Sequence, residues 1–341
     1  MDTRSKKEEL LYKLLKIEAT ILGIIAVFII SFYFILPINN PLNKDTILYK
    51  WYWLIFGLSF LVVSLYFAFC YIMAKKDKKT IMYHFANNSL NYDFLLRQLI
   101  SRDFKTKYKR SVLGVLWSFL NPLLMMAVQY LIFSTIFGNE GIPNYPVYLL
   151  IGVVMFQFFN ETVAPGLTAI TGNASLLNKV PIPKRLFPLS KVFSSSINFA
   201  FSLIPLFVVM LICGVRPSFA NLLLILDYIF LFVFVYGLTL LLSAAMVYFR
   251  DVQFLWGVIS MLWMYATPIF YDLDAIKIEW VRTAMKFNPM YHYITFARIC
   301  LRDGACPDLM CFLYCIICSV AMFAIGMFVF KRKEKDFVLH L

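Results

Sequence analysis

Eight stretches of this 341-residue chain contain no Asp, Glu, Lys, Arg or His: 19–43, 51–74, 111–139, 141–160, 192–215, 228–249, 252–271 and 309–330. A helix needs ~20 apolar residues to cross a hydrocarbon layer, so each window is long enough for one crossing. In lipid, backbone N–H and C=O groups must be satisfied within the segment or around a closed barrel. The alternation of a membrane barrel strand is absent from these windows, which leaves helix. The chain reads as an all-α polytopic membrane protein with eight spans. Only 15% of its residues are charged, against ~25% in a soluble domain.

Residues 1–17 are charged, and no small-residue cleavage site follows the first apolar run, so that run reads as a retained helix. Placing both termini in the cytoplasm puts 24 of the 32 basic residues inside, in 1–17, 75–110, 172–191, 249–251 and 331–341. This bias sets the expected orientation. Five of the eight outer basic residues, Lys277, Arg282, Lys286, Arg298 and Arg302, share one long segment. The net charge of +13 gathers at membrane-helix ends, so anionic lipid headgroups rather than nucleic acid are the expected partner. Cys311, Cys315 and Cys318 share a helix face within an apolar span and read as packing, and no metal site is expected. Cys300 and Cys306 either pair outside the membrane or remain thiols.

The first two spans form a hairpin, followed by the basic linker Lys75, Lys76, Lys78 and Lys79, with a module boundary near residue 88. From 93 to 108, Leu95, Leu96, Leu99, Ile100 and Phe104 interleave with Arg97, Arg102 and Lys105 at helical spacing, and Lys109 follows. This is an amphipathic helix, serving either as a surface anchor or as a contact for a cytosolic partner. Asp103 and Lys107 drift toward its apolar side. Six spans follow, near 111–137, 145–170, 190–213, 222–248, 252–271 and 308–330. The loop after the second is expected to hold a short helix ending near Lys179, before Pro181 and Pro183. The segment 272–307 is expected to form two short helices split at Asn288-Pro289.

Signs of catalysis are missing. There is no phosphate-binding GxxxxGK[ST], HExxH or GxSxG, and the three histidines are scattered. Asp272 and Asp274 read as a solvated loop. Glu161 falls in mid-span beside Asn160 and four residues before Pro165, so it must face protein, water or a basic partner. Tyr130, Phe133 and Phe137 share one face of the span 111–137, and Trp256 and Trp263 share one face of 252–271. Such faces either pack or line a path for sugars, whose C–H faces stack on flat rings.

From Leu95 onward the chain resembles the ABC-2 permease family, in its branch that exports O-antigen, capsule and teichoic acid. The likeness rests on Leu96 to Lys105 with Tyr108 to Trp117 and Asn121-Pro122, and on Asn173 to Pro188 with Asn178-Lys179-Val180-Pro181. It continues in Phe249 to Gln253 with Thr267 to Tyr271, and in Asn288-Pro289 with Arg298. The resemblance implies a six-helix, type V exporter-like core (89–341) preceded by an extra two-helix hairpin (1–88). It implies an interface helix at 93–108 on the cytoplasmic leaflet, with Arg97, Arg102, Asp103, Lys105 and Lys109 near the substrate headgroup. A coupling helix carrying Leu176, Leu177, Asn178, Lys179, Pro181, Lys184 and Arg185 would dock on an ATPase. Extracytoplasmic gate helices would occupy 275–301, and spans 111–137 and 252–271 would line a channel.

The implied assembly is a homodimer with two copies of a separate ABC ATPase that carries ATP and Mg, leaving no cofactor on this chain. Its expected cargo is a lipid-linked polysaccharide. Two other readings are an ABC-2 permease for a small lipid or drug-like substrate, and a membrane enzyme that modifies lipid-linked sugars. The extra hairpin reads as structural bracing.

Overall fold

The computed structural model describes residues 20, 65, 81–108, 111–137, 142–177 and 182–337, with backbone alone at 81–91, 93, 108, 134, 136, 137 and 275. The chain divides into two compact units, Met1–Leu95 and Leu96–Leu341. The expected spans at 19–37 and 51–74 lie outside the described residues, apart from single helical positions at Thr20 and Leu65.

The described residues are helical, with no strand among them: α1 Ile81–Tyr108, α2 Trp117–Phe137, α3 Tyr145–Leu167, α4 Ala174–Leu177, α5 Leu186–Ile212, α6 Leu223–Tyr248, α7 Val252–Tyr265, α8 Glu279–Lys286, α9 Pro289–Leu301 and α10 Leu309–Lys333. The expected amphipathic helix is the second half of the 28-residue α1, which runs through residue 88 without a break. Among the described residues, five helical segments are long and apolar enough to cross a membrane: Gly114–Phe133, Tyr145–Leu167, Leu186–Ile212, Phe219–Tyr248 and Leu309–Lys333.

Helix α3 is the axis of the second unit. In its membrane-length window 78% of residues are buried, against 11% for α2 and 17% for α10. Val147, Leu149, Leu150, Ile151, Phe159 and Val163 have no exposed surface. An apolar sequence on every side suits a helix enclosed by others, and α3 is packed by α2, α5, α6 and α9. Asn144 enters it in a left-handed conformation, φ 51°, with a proline in the first turn.

The expected span 252–271 is realised differently. Helix α7 has 14 residues, about 21 Å at ~1.5 Å per residue, and falls short of a ~30 Å hydrocarbon core. Pro268 has no N–H and biases Thr267 away from helix, so the chain leaves helical geometry at Ala266. The carbonyls released there are all used. Arg298 donates to Pro268 O at 2.8 Å and Ile269 O at 3.0 Å, Tyr145 OH to Phe270 O at 2.6 Å, and Tyr148 OH to Tyr271 O at 2.7 Å. Irregular backbone beside membrane helices persists only with such partners.

Helices α6 and α10 meet through glycine. A Cβ on Gly237 would stand 2.5 Å from the Phe323 Cα, and one on Gly326 would overlap the Gly237 carbonyl. With no hydrophobic drive between helices in lipid, small residues that let backbones approach supply the packing. Gly326→Ala is expected to lower stability by about 1–3 kcal/mol, as overpacking does. Gly257→Ala, at a position with nothing within 4 Å, should be neutral or slightly stabilising. Thermal unfolding of the two variants in detergent checks the contrast.

Candidate functional site

Polar groups collect where the end of α1 meets α3 and α5. The Lys107 ammonium lies 2.6 Å from Glu161 Oε2. Gln157 donates to Glu161 Oε1 at 2.9 Å, and Asn198 donates to Oε2 at 3.4 Å. One turn back along α1, Asp103 pairs with Lys191 at 2.9 Å and with Arg102 at 3.0 Å, while Arg102 donates to Asn173 Oδ1 at 3.0 Å. Asn173 in turn donates to Ala169 O at 2.8 Å, fixing the turn after α3. Residues 102, 103 and 107 lie at helical spacing, so one strip of α1 is held by charge to α3, α5 and the 171–173 turn.

Glu161 thus has the basic partner that its depth demands. Lys107, Lys191, Gln157, Asn173 and Asn198 were not singled out as site residues. For Lys107 and Asp103 the signal was their drift toward the apolar side of α1: that side faces protein, and they are the residues that pair there. Of the other headgroup candidates, Arg97 and Lys105 are exposed, and Lys109 lies outside the described residues. Lys107, Trp117, Ser118, Asn121, Gln157, Glu161, Asn198 and Ser202 border a cavity of about 300 Å³.

Residues expected to couple to an ATPase sit on the same polypeptide stretch that follows α3. Leu177 is buried and Leu176 half-buried, whereas Asn178, Lys179 and Pro181 lie outside the described residues. Lys184 is held by the C-terminal segment: its backbone N–H donates to Glu334 Oε1 at 3.3 Å, and its ammonium bonds the Glu334 carbonyl. That ammonium also stands 5.5 Å over the ring of Phe337, which is wholly buried against Phe330 and Tyr248. Arg185 is exposed. No local sequence pattern points across 150 residues to this contact.

The aromatic residues fall into separate clusters within the unit. Phe133 stacks on Phe270 at 4.7 Å between centroids, and Tyr130 lies 6.0 Å from Tyr145. Trp263 meets Phe159 edge-on at 5.1 Å and donates its indole N–H to Asn288 Oδ1 at 2.7 Å. Trp256 is 5% exposed, and its indole N–H has no acceptor among the described residues. The side chain of Phe137 lies outside the described residues. Asn288 also donates to Thr267 Oγ1 at 2.8 Å and caps α9 through Met290 N–H at 3.0 Å, so one amide joins α7, the 266–271 segment and α9. Arg298 is buried, with its guanidinium 3.4 Å from the Tyr148 ring centroid. Burial lowers its pKa to about 10, which leaves it charged at neutral pH. The helices expected at 275–301 are α8 and α9, separated at Asn288.

Residues 95–301, from the middle of α1 to the end of α9, match the family described as ABC-2 type transporter. The chain belongs to the ABC-2 type transporter family. This ABC-2 protein is 32% identical over 247 residues to an O-antigen export system permease protein RfbA of Myxococcus xanthus, covering 72% of this chain and 95% of that relative. A Klebsiella pneumoniae protein of the same name is 32% identical over 220 residues, 63% of this chain and 83% of its own. The polysialic acid transport protein KpsM of Escherichia coli is 22% identical over 241 residues, 70% and 92% respectively. With its apolar helices, the ABC-2 chain is a multi-pass membrane protein.

In a double-mutant cycle, Lys107→Met and Glu161→Gln should each destabilise, and the pair should do so less than additively. Both side chains are partly exposed, 42% and 26%, so water screening limits the coupling to about 1 kcal/mol. Unfolding in detergent measures it, and strict additivity would refute the pairing.

Proposed function

We propose that this ABC-2 permease exports a lipid-linked cell-envelope polysaccharide across the bacterial cytoplasmic membrane, as a homodimer joined to two copies of an ATPase. As a polysaccharide-export permease of this family, it is a transport subunit rather than an enzyme. The observation that carries the reading is the 32% identity extending over 95% of an O-antigen export permease.

In this reading both termini and α1 lie at the cytoplasmic leaflet, where the exposed Arg97 and Lys105, with Arg102 and Lys109, attract a pyrophosphate headgroup. The stretch 176–185 receives motion from the ATPase, and α1 moves with it because Arg102 is bonded to Asn173. The glycan passes the wall formed by Tyr130, Phe133 and Trp263, backed by Trp256, while the lipid tail stays in the bilayer. Helices α8 and α9 form an outer gate hinged at Asn288.

Depletion of the chain should leave lipid-linked polymer trapped in the cytoplasm and remove it from the cell surface. Normal surface glycan after depletion would discard this function in favour of a small-molecule permease. Tyr130→Ala combined with Trp263→Ala should reduce export by about tenfold, since each ring contact contributes ~0.5–1.5 kcal/mol. Surface glycan is measured on cells in which insertion of the variant has been verified.

A further inference from the structure

The cavity beside α1 is lined by more hydrogen-bonding groups than the Glu161 network uses. It lies among α1, α2, α3 and α5, and its wall is made of amides, hydroxyls, one indole and one ion pair. Polar side chains within a membrane bundle are costly unless each finds a partner. The two ionised groups on the wall, Lys107 and Glu161, neutralise each other at 2.6 Å. The cavity is therefore uncharged overall yet dense in hydrogen-bonding groups.

Part of that capacity is committed and part is not. Asn198 donates to Glu161, and Ser202 donates to Asn198 O at 3.0 Å and Ser118 O at 3.3 Å. Gln157 spends its amide N–H on Glu161. Among the described residues, the Gln157 carbonyl accepts no hydrogen bond, and neither the Asn121 amide nor the Trp117 indole N–H makes one. Trp117 is 43% exposed, and Asn121 is exposed beside it. Donors, acceptors and a partly open aromatic ring thus converge on one space.

We infer that this cavity is a subsite for one uncharged, hydroxyl-rich ring, a single sugar unit of the transported glycan. The inference rests on the polysaccharide-export reading and adds a place and residues to it. At about 300 Å³ the cavity is at the lower end of the ~300–1,000 Å³ range of ligand pockets, room for a ring and not for a folded chain. A sugar presents donors and acceptors around its rim, matching Asn121 and Gln157, and C–H faces that match Trp117. An anionic headgroup would need cations beyond the one already paired with Glu161. An acyl tail would strand the amides without partners.

The test is saturation-transfer NMR on the full chain in phosphatidylcholine nanodiscs. The probes are methyl glycosides of glucose, mannose, galactose, rhamnose and N-acetylglucosamine, with glycerol as the control. At least one glycoside should receive saturation above glycerol, and the signal should fall at least fivefold in Asn121→Leu and in Gln157→Leu. The inference is overturned if no glycoside exceeds glycerol on the wild-type chain, which makes the cavity a water pocket. It is equally overturned if a glycoside signal persists unchanged in both variants, which places the sugar elsewhere. Depletion separates the two levels of the reading. Lost surface glycan without glycoside binding retains export and removes the subsite. Glycoside binding that depends on Asn121 and Gln157, with intact surface glycan after depletion, retains the subsite and removes polysaccharide export.

Discussion

A carboxylate within an apolar helix of membrane length needs partners, and the way Glu161 is satisfied organises the region around it. Its partner comes from α1, a helix too charged to cross the membrane, and the bonds from Gln157 and Asn198 bring in α3 and α5. One turn away, Asp103 repeats the arrangement with Lys191, and Arg102 reaches the turn that follows α3. The amphipathic helix is thereby fastened to the bundle by charge, which is directional, rather than by apolar contact alone, which is not. The turn after α3 and the amphipathic helix are thus joined directly, by the bond from Arg102 to Asn173.

At the far end of α7 the same demand for satisfaction applies to backbone. Pro268 stops the helix, and four successive carbonyls would be stranded without Arg298, Tyr145 and Tyr148. Arginine suits this task because its planar fork serves several acceptors at once, and its charge rests on an aromatic face in place of a carboxylate. Asn288 completes the junction by engaging Trp263, Thr267 and the start of α9.

The apolar helices of the second unit were legible because a lipid environment leaves few alternatives to a helix of sufficient length. The C-terminal limit of α6 and the division at Asn288-Pro289 follow from a charge-free window and proline chemistry. The length of α7 was not legible, although Pro268 stood inside the window: hydropathy registers burial, not whether backbone donors continue. Lys107 was visible only as a flaw in an amphipathic stripe, and recognising it as the partner of Glu161 requires the two helices to be placed side by side. The hold of Glu334 and Phe337 on Lys184 joins residues 150 positions apart and leaves no local trace. The aromatic faces were legible as faces, but how far neighbouring helices enclose Trp256 depends on packing that periodicity does not encode.

The central claim is that this chain conducts while another subunit consumes nucleotide. ATP hydrolysis by the purified chain alone in liposomes tests it most directly, with the same vesicles carrying its ATPase partner as the comparison. The account predicts background hydrolysis from the chain alone and hydrolysis only when the partner is present. Sustained ATP turnover by the chain alone would contradict it.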